Sequence, residues 1–236
     1  MGLAWSFLSP LVMLAIYTFV FSFIFTTARW GGPVAGTTGG FAIVLFAGLV
    51  VHNLFAECIS RAPGLILAHT NLVKRVVFPL EILPWTVMGS ALFHAGVSLF
   101  VLLLAQIVVG HSLAPTTLLL PLVLLPLILF TMGLSWLLAA LGVYVRDIGQ
   151  MTGMAISALL FLSPVFYPLS AVPERFRFWF QLNPMTPVIE DTRNVLLFGA
   201  WPVWDRWLVE TLAALVLCQV GFWFFQRSRR GFADVL

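Results

Sequence analysis

Four histidines, His52, His69, His94 and His111, stand singly and far apart, with none of the HExxH-type spacing that would bring two ring nitrogens to one metal ion. The single lysine, Lys74, is not part of a GxxxxGK[ST] loop, whose backbone amides would cradle a nucleotide's phosphates. The chain is therefore expected to hold no metal and to hydrolyse no ATP itself. Its carboxylates mostly pair locally, as in Arg146-Asp147 and Glu190-Asp191, and no catalytic set converges on one place as general acid–base work would require. Two patterns do carry a face. Tyr17, Phe21 and Phe25 recur every four residues, as do Asn53 and Glu57, so each group would share one side of a helix.

The elements that must position these residues follow from composition. Hydrophobic residues make up 61% and charged residues only 9% of the 236, against about 25% charged in soluble domains, so the chain has too few charges to cover a soluble surface. Mean hydropathy is +1.05. A membrane-crossing helix needs about 20 apolar residues, and the runs predict six spans at about 4–27, 40–58, 83–109, 116–144, 149–168 and 207–226. From Ile82 to Val145 there is no Asp, Glu, Lys or Arg, and Gly110-His111-Ser112 marks a hairpin between two spans. The first run has no basic lead and no small-residue cleavage site, so it is expected to remain as a span. Cys58 and Cys218 lie in or beside apolar runs without metal or disulfide spacing and are expected to pack as small apolar groups. The predicted fold is all-α and integral to the membrane, with residues 1–236 forming one transmembrane domain.

Lys and Arg in short loops set orientation. With the N-terminus inside, the inner loops hold Arg61, Lys74, Arg75, Arg146, Arg227, Arg229 and Arg230, and the short outer loops hold Arg29 alone. Both termini are predicted to be cytoplasmic. The net charge of +3 comes from such scattered clusters and not from a continuous basic face, which excludes nucleic acid as a partner. Between the fifth and sixth spans, Pro173-Glu174-Arg175-Phe176-Arg177-Phe178-Trp179-Phe180 mixes charge and aromatics, and Asn183-Pro184 punctuates. Two short helices, interfacial or re-entrant, are predicted there on the outer side.

One stretch is dense with signal. Asn71-Leu72, Lys74-Arg75, Phe78-Pro79 and Ile82-Leu83-Pro84 follow one another before the third span, with Val73 and Glu81 between. This run resembles the cytoplasmic loop of the permeases in ATP-binding-cassette exporters of O-antigen, teichoic acid or capsular polysaccharide, the ABC-2 type permease family. Leu3-Ala4-Trp5-Ser6-Phe7-Leu8-Ser9-Pro10, Tyr144-Val145-Arg146-Asp147-Ile148, Ser163-Pro164-Val165-Phe166-Tyr167-Pro168 and Asn183-Pro184 are similar to the same family, in the same order. The family's polar amphipathic segment ahead of the first span, which implies contact with the ATPase and lipid headgroups, is not matched, since Met1-Gly2 leads straight into the apolar run.

The resemblance implies a homodimer working with two copies of a separate ATPase subunit, which would bind ATP and Mg, in the bacterial inner membrane. It implies a coupling helix on the cytoplasmic face at about 62–77, with Arg61, His69, Asn71, Leu72, Lys74, Arg75, Phe78, Pro79 and Glu81 at the ATPase interface. The substrate would be a lipid-linked polysaccharide, with membrane lipids as further partners. Tyr17, Phe21, Phe25, Asn53 and Glu57 are candidates for its path, the aromatics because sugar rings stack on them. The same aromatic stripe serves equally well for helix packing, and the polar pair for bonds between helices. Pro164, Tyr167, Pro168, Phe176, Trp179, Phe180, Asn183 and Pro184 would form an outer gate. The alternative reading is an integral-membrane glycosyl- or acyltransferase acting on a polyprenyl-linked glycan.

Overall fold

In the computed structural model of the chain, residues 3–20, 40–73, 78–110 and 113–235 are described. Among them every regular element is helical. The long helices are α1 (Leu3–Phe19), α2 (Gly40–Arg61), α4 (Leu83–Val108), α5 (Leu120–Tyr144), α6 (Ile148–Leu162) and α9 (Trp204–Ser228). The short ones are α3 (Thr70–Val73), α7 (Glu174–Gln181), α8 (Met185–Arg193) and α10 (Phe232–Val235).

Among the described residues, four stretches are long and apolar enough to cross a membrane: Gly40–Arg61, Leu80–Val108, Pro115–Tyr144 and Trp204–Gly231. Two shorter apolar helices, Ser6–Phe19 and Ile148–Leu162, stand where the first and fifth spans are predicted. The fifth ends six residues before the predicted boundary at 168. Ser163 precedes Pro164, and the proline ring disfavours helical backbone in the residue before it, so the chain turns at 163–165 instead of continuing. The helix predicted over 62–77 is broken within its described part, 62–73. Residues 62–66 form turns, Leu67–His69 a 3-10 turn, and α-helical backbone resumes at Thr70–Val73, because Pro63-Gly64 cannot carry on from α2.

The chain forms two compact units from interleaved segments. The first takes Met1–Asn53, Phe93–Leu124 and Phe161–Trp207. Its core is the early part of α2, buried from Phe41 to His52, together with nearly all of α8. Pro126 in α5 has no N–H, which frees the carbonyl of Leu122 one turn earlier. Trp207 Nε1 donates to that carbonyl at 2.9 Å. The last turn after α8, Asn194–Phe198, is a π-helix closed by Gly199 in the left-handed region (φ 64°). Its loosened ladder is supported from outside. Gln106 Nε2 donates to Leu196 O at 3.0 Å and Thr116 Oγ1 to Val195 O at 2.7 Å.

The second unit takes Leu54–Leu92, Leu125–Leu160 and Leu208–Leu236. One of its contacts requires glycine on both sides. A Cβ on Gly133 of α5 would lie 2.7 Å from Leu217 O and 2.8 Å from the Cys218 backbone, and a Cβ on Gly221 would lie 2.1 Å from Gly133 O. Here α5 and α9 cross backbone to backbone, the small-residue packing that joins helices where no hydrophobic drive between them exists. Trp136 sits edge-on to Trp85 (6.0 Å between centroids) and to Phe222 (5.0 Å), and its Nε1 donates to Glu81 O at 3.1 Å. Cys58 is buried with its Sγ 4.0 Å from Met88 Sδ, and Cys218 is half-buried.

Candidate functional site

In the first unit the site is built around α8. Pro184 caps the helix and Asn183 reaches both ways, accepting the Met185 N–H at 3.0 Å and donating to Leu162 O at 3.2 Å and Ser163 Oγ at 2.9 Å. That side chain ties the last turn of α6 to the first turn of α8, satisfying groups a helix end leaves open. Tyr167 donates its hydroxyl to Phe161 O, and its ring meets Phe180 edge-on at 6.1 Å. Burial raises the Tyr167 hydroxyl pKa above its ordinary value. Arg177 donates to Val172 O at 3.0 Å and Ser170 O at 3.1 Å, closing the short turn ahead of α7.

Arg193, at the C-terminal end of α8, is only 2% exposed. Its guanidinium donates to Val44 O (3.0 Å), Pro164 O (2.6 Å) and Val165 O (2.8 Å), so one charge joins α2, the 163–165 turn and α8. Burial pushes Arg193 down to about 9, against an opposing pull from Glu190. The guanidinium remains protonated at neutral pH, and its planar fork suits carbonyls lying in several directions. Asp191, also 2% exposed, accepts from Arg206 at 2.9 Å and is further held by the Asn194 side chain and the Val203 N–H. Burial raises its carboxyl above the ordinary 3.8 in spite of those donors. Arg206 also reaches Glu190 at 3.3 Å.

Beside this network is a cavity of about 420 Å³, lined by Pro168, Leu169, Ser170, Glu190, Arg193, Asn194, Phe198, Val203 and Arg206. Of the predicted gate residues, the structure brings Pro164, Tyr167, Phe180, Asn183 and Pro184 into the packing around α6 and α8, and Pro168 to the cavity. Phe176 and Trp179 are exposed on α7, where the Arg175 guanidinium lies 4.6 Å from the Phe176 ring centre. Sequence reasoning missed Asp191, Arg193 and Arg206. The signal available was the run Glu190-Asp191-Thr192-Arg193 following apolar Val188-Ile189, in a segment read as a short interfacial or re-entrant helix; eight of the nine residues of α8 are buried.

In the second unit Arg61 ends α2 and pairs with Glu57 at 3.1 Å. His69 Nδ1 is 2.9 Å from Leu65 O and donates to it in the tautomer that satisfies this carbonyl. Arg61 and His69 share a cavity of about 490 Å³ with Ser60, Gly64, Leu65, Ala68, Thr86 and Val87. Glu81 is drawn elsewhere, to Arg229 at 2.6 Å. Asn71 is exposed on α3, whose backbone includes Leu72, and Phe78 and Pro79 are half-buried where the chain enters α4. Lys74 and Arg75 lie outside the described residues.

For the path, Tyr17 is half-buried on α1, Asn53 is exposed on α2, and Glu57 is committed to Arg61. Phe21 and Phe25 lie outside the described residues. Among those described, no group of three or more His, Cys, Asp or Glu could hold a metal ion.

Among the described residues the regular elements are all helical, several apolar enough to cross a membrane, with a charged knot in the sequence between the last two apolar helices, as an integral membrane protein would have. Residues 1–197 match the ABC-2 type transporter family, and the chain belongs to that family. It is similar to the O-antigen export system permease protein RfbA of Klebsiella pneumoniae, 23% identical over 237 residues, covering 100% of this chain and 88% of that protein. It is also similar to the RfbA permease of Myxococcus xanthus, 25% identical over 236 residues, covering 99% of this chain and 87% of that protein. The polysialic acid transport protein KpsM of Escherichia coli is 24% identical over 204 residues, covering 84% of this chain and 75% of KpsM.

Proposed function

We propose that this chain is the transmembrane subunit of an ATP-binding-cassette exporter that moves a lipid-linked polysaccharide of the O-antigen or capsule kind across the bacterial inner membrane. The carrying observation is the family match over residues 1–197 together with full-length similarity to O-antigen export permeases. Transport permeases among the relatives argue against the transferase alternative. In this reading the chain is one permease domain of six spans with both termini cytoplasmic. It works as a homodimer with two copies of a separate ATPase that binds ATP and Mg.

Within that frame, residues 61–81 form the contact with the ATPase. Arg61 and His69 at the 490 Å³ cavity lie where that contact would press on the end of α2. Tyr17, Phe21, Phe25, Asn53 and Glu57 remain the proposed path, and the Pro164–Pro184 region the proposed outer gate. The burial of α8 and its anchoring by Arg193 support a gate element that is part of the packed unit and not a loose surface loop.

The test is a clean deletion of the reading frame, with complementation. Loss of surface glycan, accumulation of lipid-linked polymer inside and co-purification of the permease with a cassette ATPase are expected. Unchanged surface glycan, with no ATPase recovered on the purified protein, overturns the proposal.

A further inference from the structure

The 420 Å³ cavity beside α8 falls within the range of small-ligand pockets, about 300–1,000 Å³. Its chemistry excludes the simplest occupant of an arginine-lined pocket. Arg193 spends its guanidinium on three backbone carbonyls, and Arg206 is shared between Glu190 and Asp191. Two carboxylates stand against two guanidiniums, so no cationic excess is left for a phosphate or carboxylate ligand.

What remains is a lining that is neutral overall yet rich in both donors and acceptors. Glu190 and Arg206 keep 27% and 35% of their side chains exposed, enough to offer edges to a ligand while the ion pair holds them in place. Ser170 adds a hydroxyl and Asn194 an amide. Phe198 and Pro168 supply apolar faces. Paired planar groups that bridge neighbouring hydroxyls, next to a ring that accepts the C–H face of a pyranose, make a carbohydrate site. Because the polar groups are already fixed by one another, a ligand would meet little ordering penalty there.

We propose that this cavity is a subsite for one neutral sugar residue of the exported polymer, with Phe198 as the stacking face and Glu190 and Arg206 as the hydroxyl-bridging pair. This rests on the polysaccharide-export reading and adds to it a defined place in the chain where the glycan is held. None of these three residues belongs to the sequence-predicted path.

The experiment uses the full-length permease with its ATPase in lipid nanodiscs. The probes are repeat-unit oligosaccharides released by mild acid from the host's own surface polysaccharide, with inorganic phosphate as a separate probe. Saturation-transfer NMR reports binding. Oligosaccharide but not phosphate is expected to bind, Phe198→Leu to weaken binding at least fivefold, and Phe198→Tyr, which keeps the ring, to restore it. Glu190→Ala is expected to weaken it similarly, with thermal melting of each variant showing that the fold is retained.

Binding of phosphate in place of sugar, or oligosaccharide binding unchanged in both Phe198→Leu and Glu190→Ala, overturns the subsite. If the wild-type chain restores surface glycan in the deletion strain while these outcomes are seen, only the subsite fails. If it restores none, the export reading itself fails.

Discussion

A methyl group placed on Gly48 would lie 2.5 Å from Nη2 of Arg193. Glycine at this position of α2 is therefore the counterpart of the buried guanidinium, since only a residue without a Cβ leaves the fork in reach of Val44, Pro164 and Val165 together. Gly48→Ala is expected to destabilise by about 1–3 kcal/mol through overpacking. Arg193→Lys should do more, about 3–5 kcal/mol, because one ammonium cannot serve three separated carbonyls. Melting temperatures of the purified protein in detergent check both, and values equal to wild type for either would contradict the role assigned to the pair.

Asp191 makes a pH test possible. Burial holds its carboxyl above the ordinary 3.8 despite Arg206, Asn194 and Val203, so the folded chain keeps this proton more tightly than the unfolded one. The contribution is full below the unfolded value and is lost as pH rises through the folded value. Wild type should therefore gain stability relative to Asp191→Asn, which does not titrate, as pH falls from about 7 toward 4. Melting curves of both proteins across that window provide the comparison. A constant difference rules the effect out.

The Trp207 indole and the Leu122 carbonyl form a bond whose origin is a proline. Trp207→Phe strands a carbonyl that Pro126 has already deprived of its helical donor, at about 1–3 kcal/mol. In a Pro126→Ala background the helix supplies an N–H of its own, so the same Trp207→Phe change should cost less. A double-mutant cycle by denaturant unfolding measures this coupling. Simple additivity would show that the two features are independent.

The crossing of α5 and α9 is expected to be intolerant of any side chain. Gly133→Val places carbon within 3 Å of the Leu217 and Cys218 backbone, where nothing flexible can give way. The helices must separate, and the loss should exceed about 3 kcal/mol because backbone and not side chain is displaced. Yield of folded, monodisperse protein after detergent extraction reads it out. Normal extraction behaviour would mean the helices approach less closely than described.

Much of the helical scaffold was legible because an apolar run long enough to cross a bilayer leaves few alternatives. The spans predicted at 40–58, 83–109 and 207–226 fall within three residues of α2, α4 and α9, and the one at 116–144 matches the helical stretch Pro115–Tyr144, of which α5 is the later part. The shorter α6 and the broken 62–73 segment were misjudged where proline acts on its neighbours, at Ser163-Pro164 and at Pro63-Gly64. The two short helices near 174–198 were visible in their punctuation. The role of Arg193 was not. Its partners are backbone carbonyls 149, 29 and 28 residues away, and a carbonyl leaves no mark in composition. Asp191 and Arg206 were hidden for a related reason, since a charge in a loop reads as solvated until its burial is known.

The reach of Arg193 also bears on how the chain is assembled. A guanidinium this deeply buried is tolerable only when all three of its acceptors are in position, and the most distant, on α2, is synthesised long before α8 emerges. Until α2 and the 163–165 turn have met, α8 must stay hydrated. Docking of α8 thus waits on the meeting of α2 with the 163–165 turn, and a variant that weakens the Arg193 bonds should leave a species with residues 185–198 open to protease.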